Sequence, residues 1–421
     1  MKRYGMIQTV WLILLVVMSI GPVVAQDSRV PGGNDKTVLN PEARNGKLVF
    51  ESADKSFQWW FDSRIQIDGA KYFENKNKMS DGTLFRRLTF AMKSTLWNDW
   101  QAEVDLDFAE ATLDLRDMWI QYTIPGKTIS LRAGNFKEPF GMERLNSSRL
   151  LTFLERTAAT NAFSMGRRMG GMARYWNNLG QVSAGVFGHE AGTRIDKGTR
   201  DEGYSTNLRV TVAPINQHGK NLHIGLAGTY KIPDATDDLA ENTIEIKTRT
   251  ETYVFDPKLL HTGDITDVNY YNRYGGELMM IYGPLYVQSE YMMTQIKRWY
   301  GKETVDLNGG YAMLTYTLTG ETRYYYLDEG EVGPIEAPRS KKGAVEVAAR
   351  YSIIDLDDPT AGILGGKSNQ LMLGINYYPN PNIKLQFNYS LVDLNENATS
   401  KKKFIGNDDH SFIQFRIQAS L

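Results

Sequence analysis

Residues 383–391 read IKLQFNYSL. Ile383, Leu385, Phe387, Tyr389 and Leu391 alternate with Lys384, Gln386, Asn388 and Ser390. Successive side chains of a strand point to opposite faces, so the segment predicts a strand with one apolar and one strongly polar face. The same period of two runs upstream. Phe57, Trp59, Phe61, Ile65 and Ile67 alternate with Gln58, Asp62, Arg64, Gln66 and Asp68. Leu88, Phe90 and Met92 face away from Arg87, Thr89 and Lys93, and Trp100, Ala102, Val104, Leu106 and Phe108 from Gln101, Glu103, Asp105 and Asp107.

A soluble sandwich would bury the apolar faces, whereas a membrane barrel turns them to lipid around a wet lumen. The spacing of the connections decides between the two. Short turn signals at 98–99, 125–127, 177–180, 214–221, 283–284 and 379–382 alternate with generally longer connections at 74–82, 110–112, 137–168, 190–202, 233–268, 300–304, 356–366 and 393–407. Outer-membrane barrels alternate periplasmic turns and extracellular loops in this way. Only 320–342 is long where parity expects a short turn. The count predicts an all-β, antiparallel transmembrane barrel of about 16 strands. The last residues agree: Ile413, Phe415, Ile417, Ala419 and Leu421 alternate with Gln414, Arg416, Gln418 and Ser420, as suits a final strand that closes on the first. Trp59, Trp60, Tyr72, Trp97, Trp100, Trp119, Tyr122, Tyr377 and Tyr378 lie near predicted strand ends and are expected to form interfacial girdles.

At the other end, Lys2 and Arg3 precede an apolar run from Val10 to Ile20 and small residues up to Ala25. This predicts a secretory signal peptide over 1–25, followed by a short flexible lead-in over 26–56 and the barrel over 57–421. The chain has no cysteine, which excludes disulfides and thiolate metal sites. Its 48 basic and 49 acidic residues carry no nucleic-acid footprint.

One stretch departs from the alternation. Residues 130–175 begin and end as strands, but about thirty residues between them are irregular and rich in Gly, Arg, Phe, Asn and Ser. Lys137, Arg144, Arg149, Arg156, Arg167 and Arg168 face Glu138, Glu143 and Glu155 in composition. If all the glutamates pair, some of these arginines pin the loop to the wall instead of meeting a solute. This is the third long connection, on the extracellular side, and residues 137–168 are expected to fold inward as a constriction loop.

Several separated motifs resemble a known family. GNFKEPFGMER (134–144), SSRLLTFLER (147–156) and GRRMGGMARYW (166–176) are similar to the phosphate-selective porin O and P family. So are EVDLDFAEATLDLRDMWIQY (103–122), LTGETRYYY (318–326) and NYYPNPNIKLQFNYS (376–390). The resemblance implies a trimeric, sixteen-stranded channel in the outer membrane of a Gram-negative bacterium, with an inward third loop and cationic residues at the constriction. By position it implies Lys137 and the pair Arg86-Arg87 as anion contacts. On an undistorted strand, Arg86 shares the outward face of Leu88 and Phe90; both arginines reach the pore only if a bulge shifts the register. Arg132, inward by parity, and Arg168, at the end of the irregular stretch, complete the expected pore-lining set.

The expected function is passive diffusion of small hydrophilic solutes, anions such as phosphate or polyphosphate foremost, with outer-membrane lipid and two further copies of the chain as partners. The alternatives are a non-selective general porin and an outer-membrane adhesion or binding barrel presenting the 233–268 loop with Asp237, Asp238 and Glu241. Rings of Arg or Lys favour anions and rings of Asp or Glu favour cations. The residues expected to face inward mix both signs: Arg64, Arg87, Lys93, Arg132, Arg209, Lys231, Arg350, Lys384 and Arg416 against Asp62, Asp68, Glu103, Asp105, Asp107, Glu290 and Glu346. No enzyme is expected. His189, His218, His223, His261 and His410 lack metal-ligand spacing, no hydrolase, P-loop or metalloprotease motif occurs, and only a meeting of Ser183 with His223 would suggest a dyad. Neither a cofactor nor a metal is expected.

Overall fold

The alternating segments form strands whose polar residues point into a lumen and whose apolar residues point out. In the computed structural model, which describes residues 49–73, 76–191, 202–234 and 242–420, Phe387 is 46% exposed and its neighbour Asn388 is fully buried. The signal peptide over 1–25, most of the lead-in, and Asp237, Asp238 and Glu241 lie outside the described residues.

Sixteen antiparallel strands make the wall. They are β1 (Phe57–Phe73), β2 (Gly82–Leu96), β3 (Trp100–Asp107), β4 (Asp114–Thr123), β5 (Ile129–Lys137), β6 (Arg167–Trp176), β7 (Gly180–Phe187) and β8 (Tyr204–Gln217). Then follow β9 (Lys220–Ile232), β10 (Val268–Tyr282), β11 (Leu285–Arg298), β12 (Val305–Thr317), β13 (Ala344–Asp358), β14 (Ile363–Asn380), β15 (Ile383–Leu394) and β16 (His410–Ser420). Each pairs with the next, and β16 pairs with β1 from Arg64↔Ser420 to Phe73↔Ser411. Closure leaves no strand edge open to hydrocarbon, where unpaired backbone groups cost several kcal/mol each. Val49–Glu51, at the end of the expected lead-in, adds a short strand against Gln58–Trp60 below the end of β16. The connection between β13 and β14 is shorter than expected, 359–362, because both strands run on past the rim.

The lumen is not an open tube. Residues 138–166, 242–267 and 318–343 all place buried side chains among the inward faces of the strands. Residues 318–343 carry a hairpin, Arg323–Tyr326 with Glu331–Ile335, which accounts for the long connection on the short-turn side. These segments create an apolar core inside the barrel. Phe140, Met142, Phe153, Phe163, Phe255 and Leu259 meet Met279, Met292, Ile296, Leu307, Ile354 and Met372 of the wall. The inward faces of the middle strands therefore mix apolar residues with buried polar ones such as Arg273, Glu290 and Arg350.

The aromatic residues expected at the interfaces divide. Trp59, Trp97 and Trp100 are exposed, but Trp60, Tyr72, Trp119 and Tyr378 are buried in the lumen. Trp60 follows the outward Trp59 on one strand, so the pleat turns it inward.

Candidate functional site

The segment joining β5 to β6 is built by local signals. Gly141, at φ 77°, starts the short helix α1 (Met142–Leu145), a backbone conformation that L side chains rarely adopt. Thr157 caps α2 (Ala158–Phe163), its hydroxyl accepting from the Thr160 amide at 3.2 Å. The glutamates of the segment reach the wall. Glu138 binds Arg273 of β10 at 2.6 Å and accepts from Ser205 of β8 at 2.7 Å. Glu143 meets Arg350 of β13 at 3.2 Å, and Glu155 meets Arg416 of β16 at 2.9 Å and Arg86 of β2 at 2.8 Å. Asn388 of β15 accepts from the Leu154 amide at 3.0 Å, and Arg416 donates to the Leu154 carbonyl at 2.6 Å.

The sign of this anchoring matters. The segment's acids are spent on wall arginines, and its own arginines are left on the inner side. Arg156 donates to the carbonyls of Glu143 (2.8 Å) and Asn146 (2.7 Å), and Arg144 to those of Thr160 (3.1 Å) and Ser164 (3.3 Å). Carbonyls orient these guanidinium groups without cancelling their charge. Arg149 pairs across to Asp62 of β1 at 3.1 Å.

Between this segment and the first strands lies a cavity of about 210 Å³. Ten basic residues line it (Arg64, Arg86, Arg87, Lys93, Arg116, Lys137, Arg144, Arg149, Arg156 and Arg167) and five acidic ones (Asp62, Glu103, Asp105, Asp117 and Glu155). A smaller chamber of about 50 Å³ shares Glu103, Asp117 and Lys137 with it and adds Trp119, Phe136, the bases Arg132, Arg174 and Arg209 and the acids Glu329 and Glu331.

Arg86, Arg87 and Lys137 therefore meet in one cavity. The pairing of β1 with β2 slips between Gln66↔Arg87 and Ile67↔Phe85, so Arg86 is the extra residue of a bulge and turns inward beside Arg87. Arg86 holds Glu155 through Nε (2.8 Å) and Nη2 (3.1 Å), and its guanidinium lies 3.6 Å from the Tyr253 ring centre. Arg87 donates to Gln66 Oε1 at 2.7 Å and has no carboxylate partner among the described residues. Lys137 donates to the carbonyls of Leu145 (2.7 Å) and Asn146 (3.1 Å), at the end of α1. Arg132 lines the smaller chamber, bonded to Gln121 at 2.9 Å and stacked 4.1 Å from Trp119. Arg168 lines neither; it points to Met165 Sδ (3.3 Å) and Glu190 (3.6 Å).

Strict alternation does not reveal Arg116 and Asp117 as neighbours in the same cavity. The β3–β4 register slips between Val104↔Met118 and Leu106↔Leu115, setting both opposite Asp105. The signal is present in hindsight: two adjacent charges inside an otherwise alternating strand, as at Arg86-Arg87. At Gly134, φ is 132° and an added Cβ would sit 2.2 Å from the Met118 carbonyl oxygen. This kink lets Asn135 and Phe136 both face inward, where each is buried.

Among the described residues, Glu103, Asp105 and Asp117 bring carboxylate oxygens within 4.8 Å of one another, as a metal site would. Each already faces a cation: Lys93 at 3.7 Å, Arg116 at 3.4 Å and Arg167 at 2.5 Å respectively. Ser183 and His223 do not meet. Ser183 donates to Gln181 (2.5 Å), and His223 bonds Tyr325 (2.7 Å) and Glu277 (3.2 Å).

The described part of the 233–268 connection turns into the mouth. Thr250, Glu251, Thr252, Phe255, Leu259 and Leu260 are buried, which leaves less of an adhesive surface than the sequence suggests. Outside the wall, Glu245 accepts from Lys247 and Lys401, and these bonds hold its carboxyl down to about 2. They tie this connection to the one between β15 and β16.

A family model described as phosphate-selective porin O and P matches residues 61–419. Porin O of Pseudomonas aeruginosa is 25% identical over 410 residues, 89% of this chain and 90% of that protein. OmpT of Vibrio cholerae aligns with a TM-score of 0.56 over 89% of this chain and 100% of its own, at 10% identity, and is also known in a trimer form. An anion-selective porin of Comamonas acidovorans aligns with a TM-score of 0.53 over 87% of this chain and 100% of its own, at 12% identity. At such identities the two structural likenesses speak for the fold alone.

Proposed function

From the premise that this chain belongs to the phosphate-selective porin O and P family, we propose that it passes small anions, phosphate foremost, through the cavity beneath residues 137–168. It is an outer-membrane channel of a Gram-negative bacterium. What supports anion preference is the lining: ten basic residues against five acidic in a chain whose totals are 48 and 49. Low-dielectric walls focus such an excess and raise the local concentration of counter-ions. Glu138 and Glu143 of the segment pair with wall arginines outside the lining, while Arg144, Arg149 and Arg156 of the same segment stay in it.

In this reading Arg87 and the free Nη1 of Arg86 are the principal anion donors. Lys137 holds α1 in place and adds charge, and Arg132 receives the solute in the next chamber. Arg168 acts through the field alone. Residues 137–168 narrow the passage, and no chemical step is performed. Residues 1–25 are removed on export, 26–56 lead into the barrel over 57–421, and three copies assemble.

The test is conduction by the refolded protein in a planar bilayer. Steps in groups of three, an anion-signed reversal potential in a KCl gradient, and inhibition of chloride current by phosphate are expected. Arg87→Gln should weaken that inhibition about tenfold, the loss of one charge-assisted hydrogen bond of about 1.5 kcal/mol. Arg86→Gln and Lys137→Gln should lower the anion preference. A reversal potential near zero would identify a non-selective porin, and absence of conductance would overturn the channel reading in favour of adhesion.

A further inference from the structure

We infer that Tyr253, on the second inward segment, is a specificity-determining residue of this channel: its ring is a fixed platform that orients Arg86 toward the passing anion. The inference rests on the reading of Arg86 as an anion donor.

A guanidinium on a long side chain ordinarily samples many orientations, and a donor that must be ordered on each encounter binds weakly. Two contacts immobilise this one. Glu155 takes the edge carrying Nε and Nη2, and the Tyr253 ring lies 3.6 Å from Cζ. One edge and one face are thereby fixed, and Nη1 is the donor group left without a protein partner among the described residues.

The platform itself is anchored on both flanks. Glu251, at φ 55° and almost wholly buried, receives Arg350 Nη2 (2.5 Å), Ser352 Oγ (2.6 Å) and the Ala158 amide at the start of α2 (3.1 Å). On the other side, Thr252 Oγ1 and the Phe255 amide (3.0 Å) share the hydroxyl of Tyr72 on β1. Tyr253 is half-buried between these anchors, and two arginines lie over its ring. The second, Arg249, lies 4.3 Å from the ring centre and faces the mouth, where Asp256 pairs with it. One aromatic ring thus joins a cation at the entrance to a cation in the cavity. A guanidinium over an aromatic ring gains a modest electrostatic attraction, enough for a few-fold effect on orientation.

The experiment uses the refolded full-length chain carrying Tyr253→Leu, Tyr253→Phe or Arg86→Gln, with reversal potential in a KCl gradient and phosphate inhibition of chloride current as readouts. Tyr253→Leu should lower the anion-to-cation permeability ratio and weaken phosphate inhibition, each about threefold, with single-channel conductance retained. Tyr253→Phe keeps the ring and should match the unaltered protein. If Tyr253→Leu fails to assemble, Tyr253→Gln serves in its place at this half-exposed position. Should Arg86→Gln shift selectivity while neither non-aromatic variant does, the inference is overturned and the anion site stands. Should Arg86→Gln itself change nothing, the reading of Arg86 fails and takes the inference with it. A Phe variant as impaired as Leu would also overturn it, because the ring would not be the cause.

Discussion

Arg86 reaches the lumen through one extra residue of backbone. Without the bulge opposite Gln66 and Ile67 it would project, charged, beside Leu88 and Phe90, which are exposed on the lipid face. A charge at that face costs about 2–4 kcal/mol near the bilayer midplane, so the bulge is a condition for having two adjacent arginines in this strand. Its partner Glu155 is shared with Arg416, which also holds Asp68 at 2.6 Å. Glu155→Gln would leave Arg86 without its carboxylate and Arg416 with one instead of two. Breaking a buried pair from one side costs about 3–5 kcal/mol. The variant is expected to have a lower thermal midpoint by circular dichroism in detergent and noisier open-channel current; an unchanged midpoint would show that Glu155 does not hold the segment.

Among the elements, the orientation of the segment 138–166 follows from which charges it spends. Its acids meet Arg86, Arg273, Arg350 and Arg416 of the wall, leaving Arg144 and Arg156 beside the cavity. The chain has no native cysteine, so a single introduced one reports its surroundings cleanly. Ser147→Cys, in the cavity lining, should react with a small anionic thiol reagent and lose about half of its conductance or more, as expected when added negative charge narrows a cationic pore. Leu371→Cys, on the outer, lipid-facing side of β14, should keep its conductance under the same treatment, because the charged reagent does not reach a thiol in hydrocarbon. If both behave alike, the cavity is not the conducting path. The same inward segments explain why the middle strands alternate weakly. Met279, Met292, Leu307 and Met372 face a packed interior instead of water, so the inward faces of β10–β14 mix these apolar residues with polar ones such as Arg273, Glu290 and Arg350.

At the scale of the whole molecule, closure sets the limits. Removing 410–421 would strip β1 of its pairing from Arg64 to Phe73 and open β15 as well. Open edges are untenable in lipid. The truncated chain is expected to yield no compact, heat-modifiable band in unheated gel electrophoresis and no conductance. A compact band from it would mean that β1 closes on another strand. Closure also places the cavity off-centre. The apolar core lies mainly on the side of β8–β16, and the cavity is left against β1–β6.

The sequence by itself determined the barrel, its strand number within the count expected, the inward parity of residues such as Arg87, Lys93, Arg350 and Arg416, and the position of the irregular third connection. A period of two is a local property, repeated in every strand, and needs no knowledge of distant partners. Only the tertiary structure decided that Arg86 turns inward, that Arg116 and Asp117 join it, and that Trp60 and Trp119 leave the interfaces for the lumen. It also decided that the connection after β9 and the hairpin before β13 fill the barrel. These depend on register slips and on charge pairs more than a hundred residues apart, such as Glu143 with Arg350 and Glu155 with Arg416. The irregular stretch 130–175 carries arginines and glutamates in plain view. Which of them hold the loop and which face the cavity follows from what the opposite wall offers, and that is fixed only when the barrel closes.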